Sequence, residues 1–306
     1  MDGIINIYKE AGFTSFDVVA KLRGILKQKK IGHTGTLDPD AEGVLPVCIG
    51  KGTKLCDYLT AKDKVYQAVL RLGITTDTQD MSGTVLTRQD PAVSEEEILA
   101  VIQGFTGRQT QIPPMYSALK VNGKKLCDLA RAGIEVERKP REIEIFSIKV
   151  HSVELPRVTM EIHCSKGTYI RTLCQDIGSL AGCGGCMEKL LRTKTAGFSI
   201  ENAYRLKEVE EIVKGADQKG RRIEDILLPV EAALKDYPRI DAKPGMEKIL
   251  RNGGRFLEED ISLKEESENS LYRVYDASGM FVGLFRYDPA VKMWKPEKMF
   301  LESSHK

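Results

Sequence analysis

Residues 32–46 read GHTGTLDPDAEGVLP, and the interpretation of this stretch decides the fold. Three glycines and two prolines within it exclude a helix and mark a loop between regular elements. Loops held on a rigid scaffold are where catalytic side chains concentrate. Asp38 stands at its centre. Gly32 and Gly35 before it permit tight backbone turns, and Pro39 after it biases Asp38 toward an extended backbone. A short acid presented this way is placed to act as a nucleophile or a base. The same Leu-Asp-Pro run also spells an ordinary turn in which the aspartate caps the next residues. Asp40 and Glu42 are close but lack the helical spacing of a paired-carboxylate or metal site.

Moving outward, residues 3–8 (GIINIY) read as a short buried strand. Thr14 followed by Asp17 is a capping-box start for an amphipathic helix with Val18, Val19, Leu22, Ile25 and Leu26 on one side. That helix runs into the bases of residues 27–30. Beyond the loop, residues 64–73 (KVYQAVLRLG) alternate as a strand, with Tyr66, Ala68, Leu70 and Leu72 on one face. Ser94 with Glu97 opens a second capped helix. A helix near 126–132 and strands near 143–153 and 158–164 come next. A further helix within residues 167–180 leads into a Gly/Cys turn, and residues 190–199 read as loop and strand. From about residue 238 the chain becomes β-rich: residues 271–288 form a hairpin turning at 276–279.

Several functions have no handle in the sequence. No run approaches the roughly 18 apolar residues of a membrane helix, and the N-terminus has no signal-peptide pattern. Seven cysteines, an odd number in a chain of 306, argue against a secreted disulfide framework and make the cytoplasm the expected location. Cys183 and Cys186 form a lone CxxC, without a second close pair for zinc. The four histidines His33, His151, His163 and His305 lack zinc-protease or triad spacing. Residues 77–83 miss the acidic pattern of a calcium loop, and neither a Walker A sequence nor a dinucleotide fingerprint occurs. The net charge of +2 hides an uneven distribution. Seven bases against three acids fall between Ser117 and Arg141, and again between Lys21 and Lys54. Six acids against one lysine fall between Glu258 and Glu268. Charge alone favours the reading of ordinary solvated faces.

Six colinear blocks together resemble the TruB-type tRNA pseudouridine synthases: GFTSFDVV, GHTGTLDPDAEGVLPV, KVYQAVLRLGITTDTQD, QIPPMYSALKVNGKK, CSKGTYIRTLCQDIG and LLRTKTAGF. The resemblance implies an α+β fold, with a mixed, mostly antiparallel sheet flanked by helices and a small C-terminal PUA-like β domain. It divides the chain into a catalytic domain over 1–237 and an RNA-binding domain over 238–306. The implied reaction isomerises the T-arm uridine at tRNA position 55, after flipping it into a pocket. No metal or organic cofactor is implied, because the bond exchange is internal to the nucleotide.

By the same resemblance Asp38 is the essential aspartate, either adding to the uracil ring or assisting departure of the base. Tyr66 stacks on the flipped uracil and accepts the C5 proton; Arg171 pairs with Asp38. Tyr169 and Leu190 line the pocket, His33 meets the T loop, and Asp80 holds the tyrosine network. Lys9, Lys54 and Lys120 contact phosphates. Plain alternatives stand beside these roles: a core aromatic for Tyr66, a surface arginine for Arg171, solvated side chains for the lysines. The chain departs from the family pattern at Glu10, where proline is usual, at Cys127, where tyrosine is frequent, and at Cys186, where histidine is frequent. The implied partner is the T arm of tRNA, bound by a monomer without an obligate protein partner or membrane. A dyskerin-like, guide-dependent synthase and an RNA-binding chaperone with dispensable catalysis are the alternatives.

Overall fold

The computed structural model describes residues 1–263 and 271–301. Strands β1 (Gly3–Lys9), β2 (Ile31–His33), β3 (Glu42–Ile49) and β4 (Lys64–Leu72) begin a large sheet. A small hairpin, β5 (Ile74–Thr76) with β6 (Val85–Arg88), follows. β7 (Gly107–Gln111) returns to the sheet, and a second hairpin, β8 (Lys120–Val121) with β9 (Lys124–Lys125), stands apart from it. β10 (Arg141–Glu154), β11 (Arg157–Cys164), β12 (Gly185–Thr195) and β13 (Phe198–Ser199) complete the sheet. Its order is β1-β3-β12-β4-β11-β10-β7, with β2 on β3 and β13 on β12. Every pairing is antiparallel except β12 with β3, so the sheet is mixed and mostly antiparallel.

Helices cover this sheet because their sequences carry start signals and an apolar stripe. α1 (Ser15–Leu26) opens with the reciprocal Thr14/Asp17 box and buries Val18, Val19 and Leu22. α2 (Cys56–Thr60) is a single short turn, and α3 (Glu95–Gln103) starts on the Ser94/Glu97 box. α4 (Leu126–Arg131) follows β9. In α5 (Ile170–Leu180), Ile170, Leu173, Cys174 and Ile177 recur at helical spacing and face the core with β4 and β12. α6 (Leu206–Val213) packs on α1 and β1. Among the described residues no helix is long and apolar enough to cross a membrane.

Two sequence expectations change. The loop expected over 32–46 spans only 34–41, because β1 and β12 draw residues 42–49 into the sheet. Residues 190–195, expected to open a loop, are the second half of an eleven-residue strand that starts inside the CxxC segment. Cys183 ends up buried and free beside α5, where the Cys183 and Gly184 amides donate to the Gly178 carbonyl. The acidic run at 258–268 is described only as far as residue 263, and His305 lies outside the described residues.

β12 organises the site. It lies antiparallel to β4, with Tyr66 opposite Arg192 and Ala68 opposite Leu190. It also runs parallel to β3, with Arg192 opposite Gly43. Gly43 has φ +108°, and a Cβ there would lie 2.2 Å from the Arg192 carbonyl oxygen. Gly43→Ala is therefore expected to destabilise the chain by about 4 kcal/mol, combining positive-φ strain with overpacking. Urea unfolding of wild type and variant checks this through the shift in midpoint.

A separate five-stranded sheet comes after these elements: β14 (Arg239–Ala242), β15 (Ile261–Leu263), β16 (Leu271–Tyr275), β17 (Phe281–Asp288) and β18 (Met293–Met299). Its order is β15-β14-β16-β17-β18, and Ile240, Phe256, Tyr272, Phe285 and Trp294 form its own core. Leu284 and Phe300 carry it against Ile4, Leu55 and Leu59 of the large sheet's body.

Candidate active site

A cleft of about 630 Å³ opens over β4 and β12, lined among others by Asp38, Tyr66, Tyr169, Arg171, Leu190 and Arg192. The segment carrying Asp38 has no regular structure and is fastened from outside. The Leu37 amide donates to Ser15 Oγ at 2.9 Å, and the Gly12 amide to the Pro39 carbonyl at 3.0 Å. Lys9 Nζ donates to the carbonyls of Pro39 (2.9 Å), Ala41 (2.6 Å) and Glu10 (3.1 Å).

This corrects the expectation for Lys9. Fully buried, with all three donors spent on backbone carbonyls, it has no face for a phosphate and instead pins the segment that carries Asp38. Burial pushes its ammonium down to about 8, opposed by the carboxylates of Asp38, Asp40 and Glu42.

Arg171 follows the Tyr169 cap at the start of α5 and is 4% exposed, which removes the surface-arginine alternative. It grips Asp38 with both edges of its fork: Nη2 to Oδ1 at 3.0 Å and Nε to Oδ2 at 2.9 Å. Its remaining donors reach the Thr78 carbonyl (3.1 Å) and the Tyr116 carbonyl (2.8 Å). The Asp38 side chain remains 36% exposed, toward the cleft. Burial raises its carboxyl above the ordinary 3.8, with Arg171 pulling against that and Asp80 adding to it.

A pH dependence results from these shifts. A reaction needing the carboxylate loses rate as pH falls through the native-state value, so its acid limb is expected above 3.8 rather than at or below it. Turnover measured from about pH 4 upward, in steps of about half a unit, checks this.

Asp80 stands beside the arginine. Its Oδ2 lies 3.7 Å from Arg171 Nε, and its Oδ1 accepts from Thr78 Oγ1 (2.7 Å) and Ser82 Oγ (2.5 Å). Tyr66 is buried on β4, and burial raises its phenol above 10.0 while Arg192 opposes the rise. Tyr169 is clamped at its backbone by Gln111, which accepts its N–H at 2.8 Å and donates to its carbonyl at 3.0 Å. Leu190 is half-buried at the cleft wall. His33 lies at the end of β2, half-buried, its Nδ1 accepting from the Gly35 amide at 3.3 Å. Burial lowers its imidazole below 6.5, with Arg192 adding to the effect. Of the lysines expected at phosphates, Lys120 is exposed on the β8–β9 hairpin. Lys54 is half-buried and donates to the Met299 carbonyl at 2.6 Å, which ties it to the C-terminal sheet.

The sequence reading missed three cleft contributors. Arg192 is 1% exposed, with Nε donating to the Val44 carbonyl at 2.7 Å. Lys64 is buried, its Nζ donating to the Thr60 carbonyl at 2.7 Å, and burial pushes it down to about 8. Gln111 does not line the cleft and contributes through its clamp on Tyr169. Lys64 shares the parity of Tyr66 on β4, a signal the alternation offered, whereas bulges in β12 break the parity that would have exposed Arg192.

Comparison with known proteins identifies the family. Residues 23–170 match the TruB family pseudouridylate synthase N-terminal domain, and residues 171–235 match the tRNA pseudouridylate synthase B C-terminal domain. A curated protein of Lachnoclostridium phytofermentans, "tRNA pseudouridine synthase B", is 52% identical over 98% of this chain and 100% of its own length. One of the same name from Clostridium kluyveri is 45% identical over 93% of this chain and 95% of its own. Among solved structures, a chain of a "Cbf5-Nop10-Gar1 Complex" superposes with a TM-score of 0.76 at 26% identity, covering 98% of this chain and 85% of that one. A chain from an H/ACA RNP bound to a substrate RNA shares the fold at 24% identity and a TM-score of 0.75, with 99% and 86% covered. With an arginine-gripped aspartate at the cleft and relatives of this identity along nearly the whole length, the chain belongs to the TruB family of pseudouridylate synthases.

Proposed function

We propose that the protein isomerises the uridine at position 55 in the T arm of tRNA to pseudouridine. The observation that carries this reading is the two-edged Arg171 grip on an aspartate that still faces the cleft. The reaction breaks the bond from ribose C1′ to uracil N1, turns the base, and joins C1′ to C5. The C5 proton leaves, and N1 carries one in the product, so atoms balance without a co-reactant. Asp38 supplies the carboxylate, held ionised and aimed by Arg171. In this reading Tyr66 stacks on the flipped uracil and receives its C5 proton, while Tyr169 and Leu190 wall the pocket; that all three line one cleft supports it. Lys120, on its exposed hairpin, provides a phosphate contact whose contribution falls with salt.

In this reading residues 1–237 are the catalytic domain, and residues 238–306 a PUA-like domain reaching the distal tRNA. The protein works in the cytoplasm as a monomer without an obligate partner. The curated relatives' shared name supports a tRNA-directed enzyme over a guide-dependent one. The Asp38, Tyr66 and Arg171 set in one cleft supports retained chemistry over a chaperone alone.

A T-arm stem-loop transcript, incubated with the purified chain and mapped for pseudouridine, tests the proposal. Conversion at the position-55 uridine, and none when that uridine is replaced by cytidine, is expected. An inert stem-loop bound tightly would favour a chaperone or a guide-dependent complex.

A further inference from the structure

Arg192 carries a buried cation that pairing with Asp38 does not use. It lies opposite Tyr66 in the β12–β4 ladder, and both side chains line the cleft. Its guanidinium is anchored on both sides of Asp38: Nε donates to the Val44 carbonyl of β3 at 2.7 Å and Nη2 to the Gly35 carbonyl of the loop at 3.4 Å. The Gly43 close approach fixes its backbone from the other side. Among the described residues no carboxylate pairs with this buried arginine, so its charge is left to act on the neighbouring phenol.

We propose that Arg192 is a positioning residue for Tyr66, its anchored guanidinium holding the phenol oxygen in the cleft with the hydroxyl's free side toward the flipped base. The inference rests on the proposed role of Tyr66 as receiver of the C5 proton. A cation donating to the phenol oxygen favours its ionised form and fixes its direction. The charged and titratable groups around Tyr66 include Arg192 from β12, Cys164 from β11, Asp38 from the loop, and Lys64 two residues along its own face of β4. Arg192 is the cation that acts most strongly on the phenol. It therefore opposes both burial and the Asp38 carboxylate, which act to keep the phenol protonated.

The test uses the full chain with 3,5-difluorotyrosine at position 66, whose phenol is intrinsically more acidic and is read by fluorine NMR. It is titrated with Arg192, Arg192→Gln and Arg192→Lys, and single-turnover C5 tritium release is measured in the matching chains with unmodified tyrosine. Arg192→Gln is expected to weaken ionisation at position 66 at least about tenfold, a shift of about one unit. It should slow release by a similar factor, with T-arm affinity within about threefold. Arg192→Lys, which keeps the charge but not the fork, is expected to fall between. If the glutamine variant does not fold, the lysine variant decides alone: wild-type titration and rate overturn the inference, and an intermediate loss of both supports it. An unchanged titration in Arg192→Gln also overturns it. Wild-type release by Tyr66→Phe would instead sink the role proposed for Tyr66. An impaired Tyr66→Phe beside normal Arg192 variants sinks this inference only.

Discussion

Asp38→Asn is expected to abolish turnover, a loss of at least about 10⁴-fold, the scale seen when an enzyme loses a reacting group. The change is isosteric, so the loop fastened by Lys9, Ser15 and Gly12 stays in place. Arg171 keeps the Thr78 and Tyr116 carbonyls and one acceptor on the new amide, with Asp80 at 3.7 Å. The stability cost is then that of one weakened charge-assisted hydrogen bond, about 1–2 kcal/mol. T-arm affinity is expected to stay within about tenfold, since phosphate contacts supply most of it. A folded variant that lost RNA affinity would show that Asp38 positions RNA rather than reacting with it.

Arg171→Met is the second large effect. Methionine fills similar space but leaves Asp38 and Asp80 near each other without their shared cation. Removing one partner of a buried pair costs about 3–5 kcal/mol, and exposure of Asp38 to the cleft places this site at the low end. Much of that loss falls on the carboxylate proposed to react, so kcat is expected to drop about 10²–10³-fold while KM changes little. The pH profile separates this role from simple packing. Arg171 is what opposes burial at Asp38, so its removal moves the acid limb to higher pH than in wild type. Unchanged turnover with an unchanged limb would take Arg171 out of the chemistry.

Local signals made much of this architecture legible. The capping boxes at Thr14 and Ser94 set the starts of α1 and α3, because each is complete within four residues. Alternation over 64–72 placed Tyr66 and Leu70 on the buried face of β4. The pairing of Asp38 with Arg171 joins positions 133 residues apart, and only the family resemblance supplied it. The features that stayed hidden depended on distant backbone. Lys9 reads as a surface lysine until carbonyls some thirty residues on close around it. The tie from Lys54 to the Met299 carbonyl, 245 residues away, has no local signal either. Arg192 escaped notice because bulges on both sides of it break the two-residue period that marks an inward position.

The proposed chemistry turns on Asp38, held by Arg171, driving glycosidic exchange on a T-arm uridine. Tritium release from C5-labelled uridine in a T-arm stem-loop, with wild type and Asp38→Asn assayed side by side, bears on it without intermediaries. Release by wild type and none above background by the variant is expected, with both binding the RNA. Release by folded Asp38→Asn, or none by wild type that binds the stem-loop tightly, would contradict that role for Asp38.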